Sequence, residues 1–228
     1  MRNCSRGLFY LFVAIVFTPS FAGVYEDFFR AVANDDAWSA ARLLNRGVDA
    51  NWPGPEGLPA LSLALQLENF RVAETLLRAP ALQVDAPNAH GETALMFAAL
   101  KGQLDWTQRL VRLGAQVQRE GWTPLHYAAS GPEPRVVAFL LDAGAQIDAR
   151  SPSGSTPLML AARFGDDRSV DVLLQHGANP ALKNPAGWDA ATFARMGGRD
   201  RLAARLERLS GSQTGPAPAP ASAKETGK

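Results

Sequence analysis

Apolar residues in this chain come in short helical bursts that return at a nearly fixed interval. Four segments superimpose: Thr93-ALMFAALKG, Thr123-PLHYAASG, Thr156-PLMLAARFG and Asp189-AATFARMGG. A looser copy precedes them at Pro59-ALSLALQLE, and the starts lie 34, 30, 33 and 33 residues apart. Each is followed by a second helical pattern that ends on a Leu-rich pair: Leu76-Leu77, Leu110-Val111, Leu140-Leu141 and Leu173-Leu174. In most copies a glycine follows three residues later, at Gly114, Gly144 and Gly177. The stretch from Tyr25 to Asn51 has the same ending, Leu43-Leu44-Asn45-Arg46-Gly47, and reads as an opening copy. A period near 33 residues predicts two short helices and a loop per copy. Such a unit cannot bury its apolar face alone, so the copies must stack.

The turn chemistry agrees. Thr123 and Thr156 stand where a hydroxyl can cap the first helix of a copy. Pro124 and Pro157 fall in its first turn, where no amide partner is needed. Ala128-Ala129 and Ala161-Ala162 are small enough for neighbouring helices to approach closely. The glycine after the second helix can take the left-handed conformation that ends it. The runs Gly121 to Ala129 and Gly154 to Ala162, with the endings Leu140 to Asp148 and Leu173 to Asn179, closely resemble the ankyrin-repeat family. The resemblance covers about residues 24–209. It implies an all-α solenoid of stacked helix-turn-helix units with short finger hairpins, about six repeats including degenerate caps, over residues 23–209. One finger would be Ala145 to Ser155. The resemblance also gives His126, beside Thr123, Pro124, Thr156 and Pro157, a structural hydrogen-bonding role.

Some copies depart from the pattern. The second has Pro80 where the terminating glycine is expected, with an extra residue before Val84, and its Pro59-Ala-Leu-Ser lacks the threonine. The finger between Gly114 and Thr123 is three residues shorter than the one between Gly144 and Thr156, and is expected to be stunted. In the last copy Asp189 can replace the threonine as cap. Its second helix, Arg199 to Leu209, is rich in arginine, as the polar outer face of a terminal repeat requires.

The ends of the chain read differently. Arg2 and Arg6 precede ten apolar residues, Leu8 to Phe17, and then Ser20-Phe21-Ala22, the layout of a cleaved signal peptide over residues 1–22. The apolar run is short of the ~20 residues that span a bilayer. Residues 210–228 shift to Gly, Pro, Ala, Ser and Lys and are expected to form a disordered tail. The whole chain carries 23 Lys+Arg against 22 Asp+Glu, net +1. Removal of Arg2 and Arg6 leaves 21 against 22, net −1, which argues against nucleic acid as a partner. The one cysteine, Cys4, departs with the signal, so the mature chain can form no disulfide in an oxidising compartment. The expected location is the bacterial periplasm.

Catalytic chemistry lacks parts. His90, His126 and His176 lie in different registers, and no two histidines have the spacing of a metal pair. No glycine-rich phosphate loop and no Gly-x-Ser-x-Gly elbow occurs. Asp166-Asp167 reads as a pair of solvated turn residues. No enzyme activity, metal or cofactor is expected.

A binding surface is better supported. The resemblance points to variable positions just before the threonine and just after the paired alanines. These are Glu92, Leu100 and Lys101, then Trp122 and Ser130. Next come Arg150, Ser153, Ser155, Arg163 and Phe164, then Lys183, Trp188, Arg195 and Met196. Tryptophan and arginine are favoured interface anchors. Trp122 and Trp188 can instead pack between fingers, and Trp106, on the apolar pattern of a second helix, is expected in the core. The expected partner is another protein, held by a monomer without a stable membrane anchor after signal cleavage. Two functions suit that layout. One is an accessory or chaperone-like partner of a periplasmic enzyme, since bacterial periplasmic ankyrin proteins of similar layout include supporters of catalase in peroxide defence. The other is an inhibitor or immunity protein that blocks a toxin or hydrolase.

Overall fold

The structure, a computed structural model, describes residues 19–213, with side chains from Gly23 to Gly211. Most of the expected signal peptide, residues 1–18, and most of the expected tail, residues 214–228, lie outside the described residues. Among the described residues there are twelve α-helices, one turn of 3-10 helix and no strand. None of these helices is long and apolar enough to cross a membrane.

The chain divides into two compact units. The first takes the described residues up to Ala98 together with 109–115; the second takes 99–108 and 116 onward. In the first, α1 (Pro19–Ala33) packs on α2 (Ala37–Asn45) and on α3 (Ala60–Gln66), while α4 (Phe70–Leu76) packs on α2 and α3. Its buried side chains include Phe28, Val32, Leu61, Leu65, Val72 and Leu76. Helices α5 (Ala94–Leu100) and α6 (Leu104–Arg112) contribute residues to both units.

In the second unit α7 (Pro124–Ser130) packs on α8 (Pro134–Asp142) and α9 (Pro157–Phe164). Helix α9 packs on α10 (Asp167–Gln175) and α11 (Ala190–Met196), α8 packs on α10, and α12 (Asp200–Gln213) closes on α11. So α7, α9 and α11 form an inner row, with α8 and α10 behind it. One core runs through this unit. Leu125, Leu140, Leu158, Leu173 and Leu206 are its fully buried leucines, and Ala128, Ala129, Ala161 and Ala162 let the inner helices close up between them. Helix α12 continues to Gln213, past the expected domain end at residue 209.

The predicted turn signals appear where expected. Pro124 and Pro157 open their helices, and Asp189 caps α11 by accepting the Thr192 amide at 2.8 Å. Gly47, Gly114, Gly144 and Gly177 all take φ between +90° and +95°. In the second copy proline cannot take that conformation. The left-handed residue moves one place on to Ala81, at φ +58°, a conformation that costs a residue with a Cβ about 1–2 kcal/mol. The extra residue before Val84 accommodates this displaced turn.

The fingers are tight loops rather than strand ladders. In three of them one amide–carbonyl bond closes five residues: Asn88 to Glu92 at 2.8 Å, Ser151 to Ser155 at 3.0 Å, and Asn184 to Trp188 at 3.0 Å.

The acidic pair read as solvated turn residues has structural roles. Asp166 caps α10 through the Arg168 amide at 2.8 Å, and Asp167 pairs with Arg199. The Arg199 guanidinium also donates to three carbonyls at the end of α9: Ala161 at 2.7 Å, Ala162 at 3.0 Å and Gly165 at 3.0 Å. A cation there complements the negative end of the helix dipole.

Candidate functional site

Trp122 is 37% exposed yet rests its ring edge-on against His126, with centroids 5.5 Å apart, and against Tyr127 at 6.2 Å. Packing and exposure are therefore both true of it. His126 below is fully buried. Its Nε2 lies 3.1 Å from the Ser155 carbonyl oxygen, which can only accept, so Nε2 carries the hydrogen. Nδ1 is then the acceptor for the Thr123 amide at 3.2 Å and lies 2.9 Å from the Thr123 hydroxyl. The ring thus ties the start of α7 to the next finger. In the following copy Met159 holds the equivalent place, and its sulfur accepts the Thr156 amide at 3.3 Å.

Both imidazole nitrogens of His126 are used by the neutral ring, and burial pushes its pKa below the ordinary 6.5. The unfolded chain keeps the ordinary value and takes up the proton first as pH falls. Stability from this group is therefore complete above about pH 6.5 and declines as pH drops through that value toward the lowered native one. Urea melts between pH 7.5 and 5 should show that decline. His126→Gln should lower stability at pH 7.5 and flatten the slope; an unchanged slope would remove His126 as its source.

The other expected contact residues fall into different settings. Phe164, at the end of α9, is 58% exposed, and the half-buried Arg163 lays its guanidinium over the ring, 4.7 Å from the centroid. Such a cation–π contact is worth about 0.5–1 kcal/mol at an exposed site. Trp188 is 43% exposed and leans edge-on toward Phe193 at 6.3 Å. Its backbone amide donates to Asn184 Oδ1 at 3.0 Å, which holds the end of its finger. Lys101, Arg195 and Met196 are exposed, and Ser130 is partly exposed, with its hydroxyl donating back to the His126 carbonyl at 3.1 Å.

Ser155 is a correction. It is only 3% exposed, so it offers no side-chain surface to a partner. Its hydroxyl ends a chain that runs through Ser153 to Ser151 at 3.0 Å per step, and its carbonyl takes the His126 bond. Glu92 belongs to the first unit, where its carboxylate accepts from Asn88 Nδ2 at 2.8 Å. Trp106, expected in the core, is half-buried.

Three fingers of the second unit stack directly. Gln118 donates to Gln146 Oε1 at 3.2 Å and accepts the Gln146 amide at 2.9 Å. Arg150 Nη1 donates to the Gly154 carbonyl at 3.2 Å within its own finger and to the Lys183 carbonyl of the next at 3.0 Å. Gly154 sits so close to Pro185 that a Cβ there would lie 2.4 Å from the proline ring. Between the short finger and its longer neighbour is an open notch of about 440 Å³, lined by Gln118, Arg119, Glu120, Gly121, Gln146, Ala149 and Arg150. Arg119 and the two glutamines did not stand out from the sequence, although the three-residue shortening was visible there. In the first unit the exposed Trp38, with Arg42 over its ring at 4.8 Å, and Trp52, stacked on Tyr25 at 4.4 Å, also lay outside the expected set. Among the described residues no group of three or more His, Cys, Asp or Glu is placed to hold a metal ion.

This arrangement offers aromatic, cationic and amide groups on stacked loops, the makings of a protein-binding surface. Similarity to known proteins agrees. Mouse protein phosphatase 1 regulatory subunit 27 is 38% identical over 81 residues, covering 34% of this chain and 53% of that protein. Rat ankyrin repeat and SAM domain-containing protein 6 is 32% identical over 100 residues, covering 42% of this chain and 11% of that protein. The chain thus spans about half the length of one relative and about a tenth of the other. In three dimensions it matches a chain of the complex between the predatory endopeptidase Bd0816 of Bdellovibrio bacteriovorus and immunity protein Bd3460. The TM-score is 0.68 with 26% identity, covering 80% of this chain and 97% of that one. The sequence profile of ankyrin repeats in three copies matches residues 28–120 and 108–184. With most of its length matched by that profile and its helix pairs stacked in that register, the chain belongs to the ankyrin-repeat family and is a protein–protein interaction module.

Proposed function

We propose that this protein is exported to the periplasm, where it docks on a partner enzyme and restrains it, in the manner of an inhibitor or immunity protein. The fold match over nearly all of a chain taken from an endopeptidase–immunity protein complex carries this reading. The exposed Trp122, Phe164 and Trp188 of the second unit are the anchors. They combine large apolar area with few rotatable bonds, which suits residues that must be ordered on binding.

The protein, tagged at its C-terminus and recovered from a periplasmic extract, should begin at Gly23 and bring a hydrolase with it. Added back to the purified hydrolase, it should lower that activity. Stimulation of a captured enzyme, a catalase for instance, would replace restraint with an accessory role, and an intact Met1 in membranes would replace signal cleavage with a membrane anchor. Arg163→Ala, Phe164→Ala and Trp188→Ala combined should weaken capture by about 1–2 kcal/mol or more, with thermal stability measured alongside. Undiminished capture by the folded triple variant would place the interface elsewhere.

A further inference from the structure

The expected cleavage point lies inside a helix that packs at once. Helix α1 runs unbroken from Pro19 to Ala33, through the Ala22–Gly23 bond. Within it the Ala22 carbonyl accepts from the amide four residues on, that of Glu26. The residues just after the bond already belong to the body of the first unit. Val24 lines the groove between α1 and α2. Half-buried Tyr25 stacks on Trp52 of the first finger, with ring centroids 4.4 Å apart. Phe28 is fully buried, and the finger lies so close to Phe29 that a Cβ on Gly54 would be 2.4 Å from its ring. Only Gly23 separates the bond from this packing.

The helix has its own start signals after the bond. Its first turn from Pro19 carries no acidic residue. A helix that begins at Gly23 has glycine, an accepted N-cap, and then Glu26 and Asp27 at its first turn, where carboxylates offset the helix dipole. Phe28, Phe29, Ala31 and Val32, which bury α1 in the core, all follow it. The first repeat therefore folds without the residues ahead of Gly23. Peptidases cut exposed, unpacked backbone rather than docked helices, so the bond is open to one only while α1 is undocked.

We infer that cleavage after Ala22 and docking of α1 exclude each other, so that the stability of the first repeat divides the protein between a released form and one that keeps its apolar segment. This rests on the export reading above and adds the order of events. Hydrolysis adds water across the Ala22–Gly23 bond, leaving a carboxylate on Ala22 and an ammonium on Gly23, and it precedes the packing of α1. A chain whose first repeat folds sooner retains the apolar residues Leu8 to Phe17 and stays with the membrane. Proteolysis of a packed segment proceeds through its opened state, so whatever loosens α1 shifts the division toward release.

Purified bacterial signal peptidase acting on the full-length chain, folded in detergent micelles, tests this. A synthetic peptide of residues 1–34 is the unpacked reference. The folded chain should be cut roughly tenfold or more slowly than the peptide. A Gly-Ser linker of about eight residues inserted between Gly23 and Val24 carries the bond clear of the fold. It should restore the rate of the peptide while thermal stability stays unchanged. Phe28→Ala, which loosens α1, should speed cleavage as well. If the folded chain is cut as fast as the peptide, the inference falls and export stands. If the peptide is cut but the folded linker variant is not, something other than the docking of α1 protects the bond, and the inference falls too. If neither is cut after Ala22, the cleavage reading itself falls and takes this inference with it.

Discussion

Leu158→Ala should cost about 2–5 kcal/mol of folding stability, and Leu125→Ala the same. Both side chains are fully buried at equivalent positions of successive inner helices. Their neighbours in the core include Ala128, Ala129, Ala161 and Ala162, which are already too small to move into the space left behind. The cost should therefore fall toward the upper part of that range. Urea melts of the two variants measure it. A loss under about 1 kcal/mol at both sites would mean that these residues do not face the core. Because repeat stacks can unfold in parts, the slope of each melt has to be compared as well as its midpoint.

Gly165→Ala should be comparably damaging for an unrelated reason, costing about 3 kcal/mol or more. Gly165 ends α9 with φ −82°, a conformation open to any residue, so no backbone preference demands glycine there. Space does. A Cβ at this position would lie 2.1 Å from the Ala129 carbonyl oxygen and 3.0 Å from Ala161 Cα, both backbone atoms that cannot rotate aside. Gly177→Ala is the matching control. It has φ +92° and nothing within 4 Å of the added carbon, so it should cost only about 1 kcal/mol of left-handed strain. Equal losses in the two melts would show that close approach is not what Gly165 provides.

The repeat architecture was legible because its signals recur in phase. Thr-Pro-Leu opens one helix, the leucine pair closes the next, and glycine reverses the chain, each about 33 residues apart. Local rules decide all three, so sequence alone reaches them. The candidate site was less legible because its residues answer to neighbours a repeat away. Ser155 occupies a variable position by register, yet it is buried, and its carbonyl accepts a bond from His126, 29 residues earlier. Arg150 was read as a partner contact, but its guanidinium first ties its own finger to the Lys183 carbonyl 33 residues on. Pro80 was visibly out of place, while the move of the left-handed turn to Ala81 depends on how the following residues pack. Arg199 looked like one more arginine on a polar terminal helix, and its three carbonyl partners lie 34 to 38 residues away.

That last contact changes how the end of the protein opens. In a one-dimensional stack the terminal repeat is ordinarily the first to fray, because it has a neighbour on one side only. Here its departure would strip the Arg199 guanidinium from the carbonyls of Ala161, Ala162 and Gly165 and leave the C-terminus of α9 without its cation. The last helix pair and the final turn of α9 are therefore coupled into one cooperative opening unit. Amide protons of residues 190–209 should exchange with solvent together with those at the end of α9. Arg199→Lys, which keeps the charge but has no second nitrogen to hold Asp167 while the first serves the carbonyls, should let the terminal pair exchange on its own.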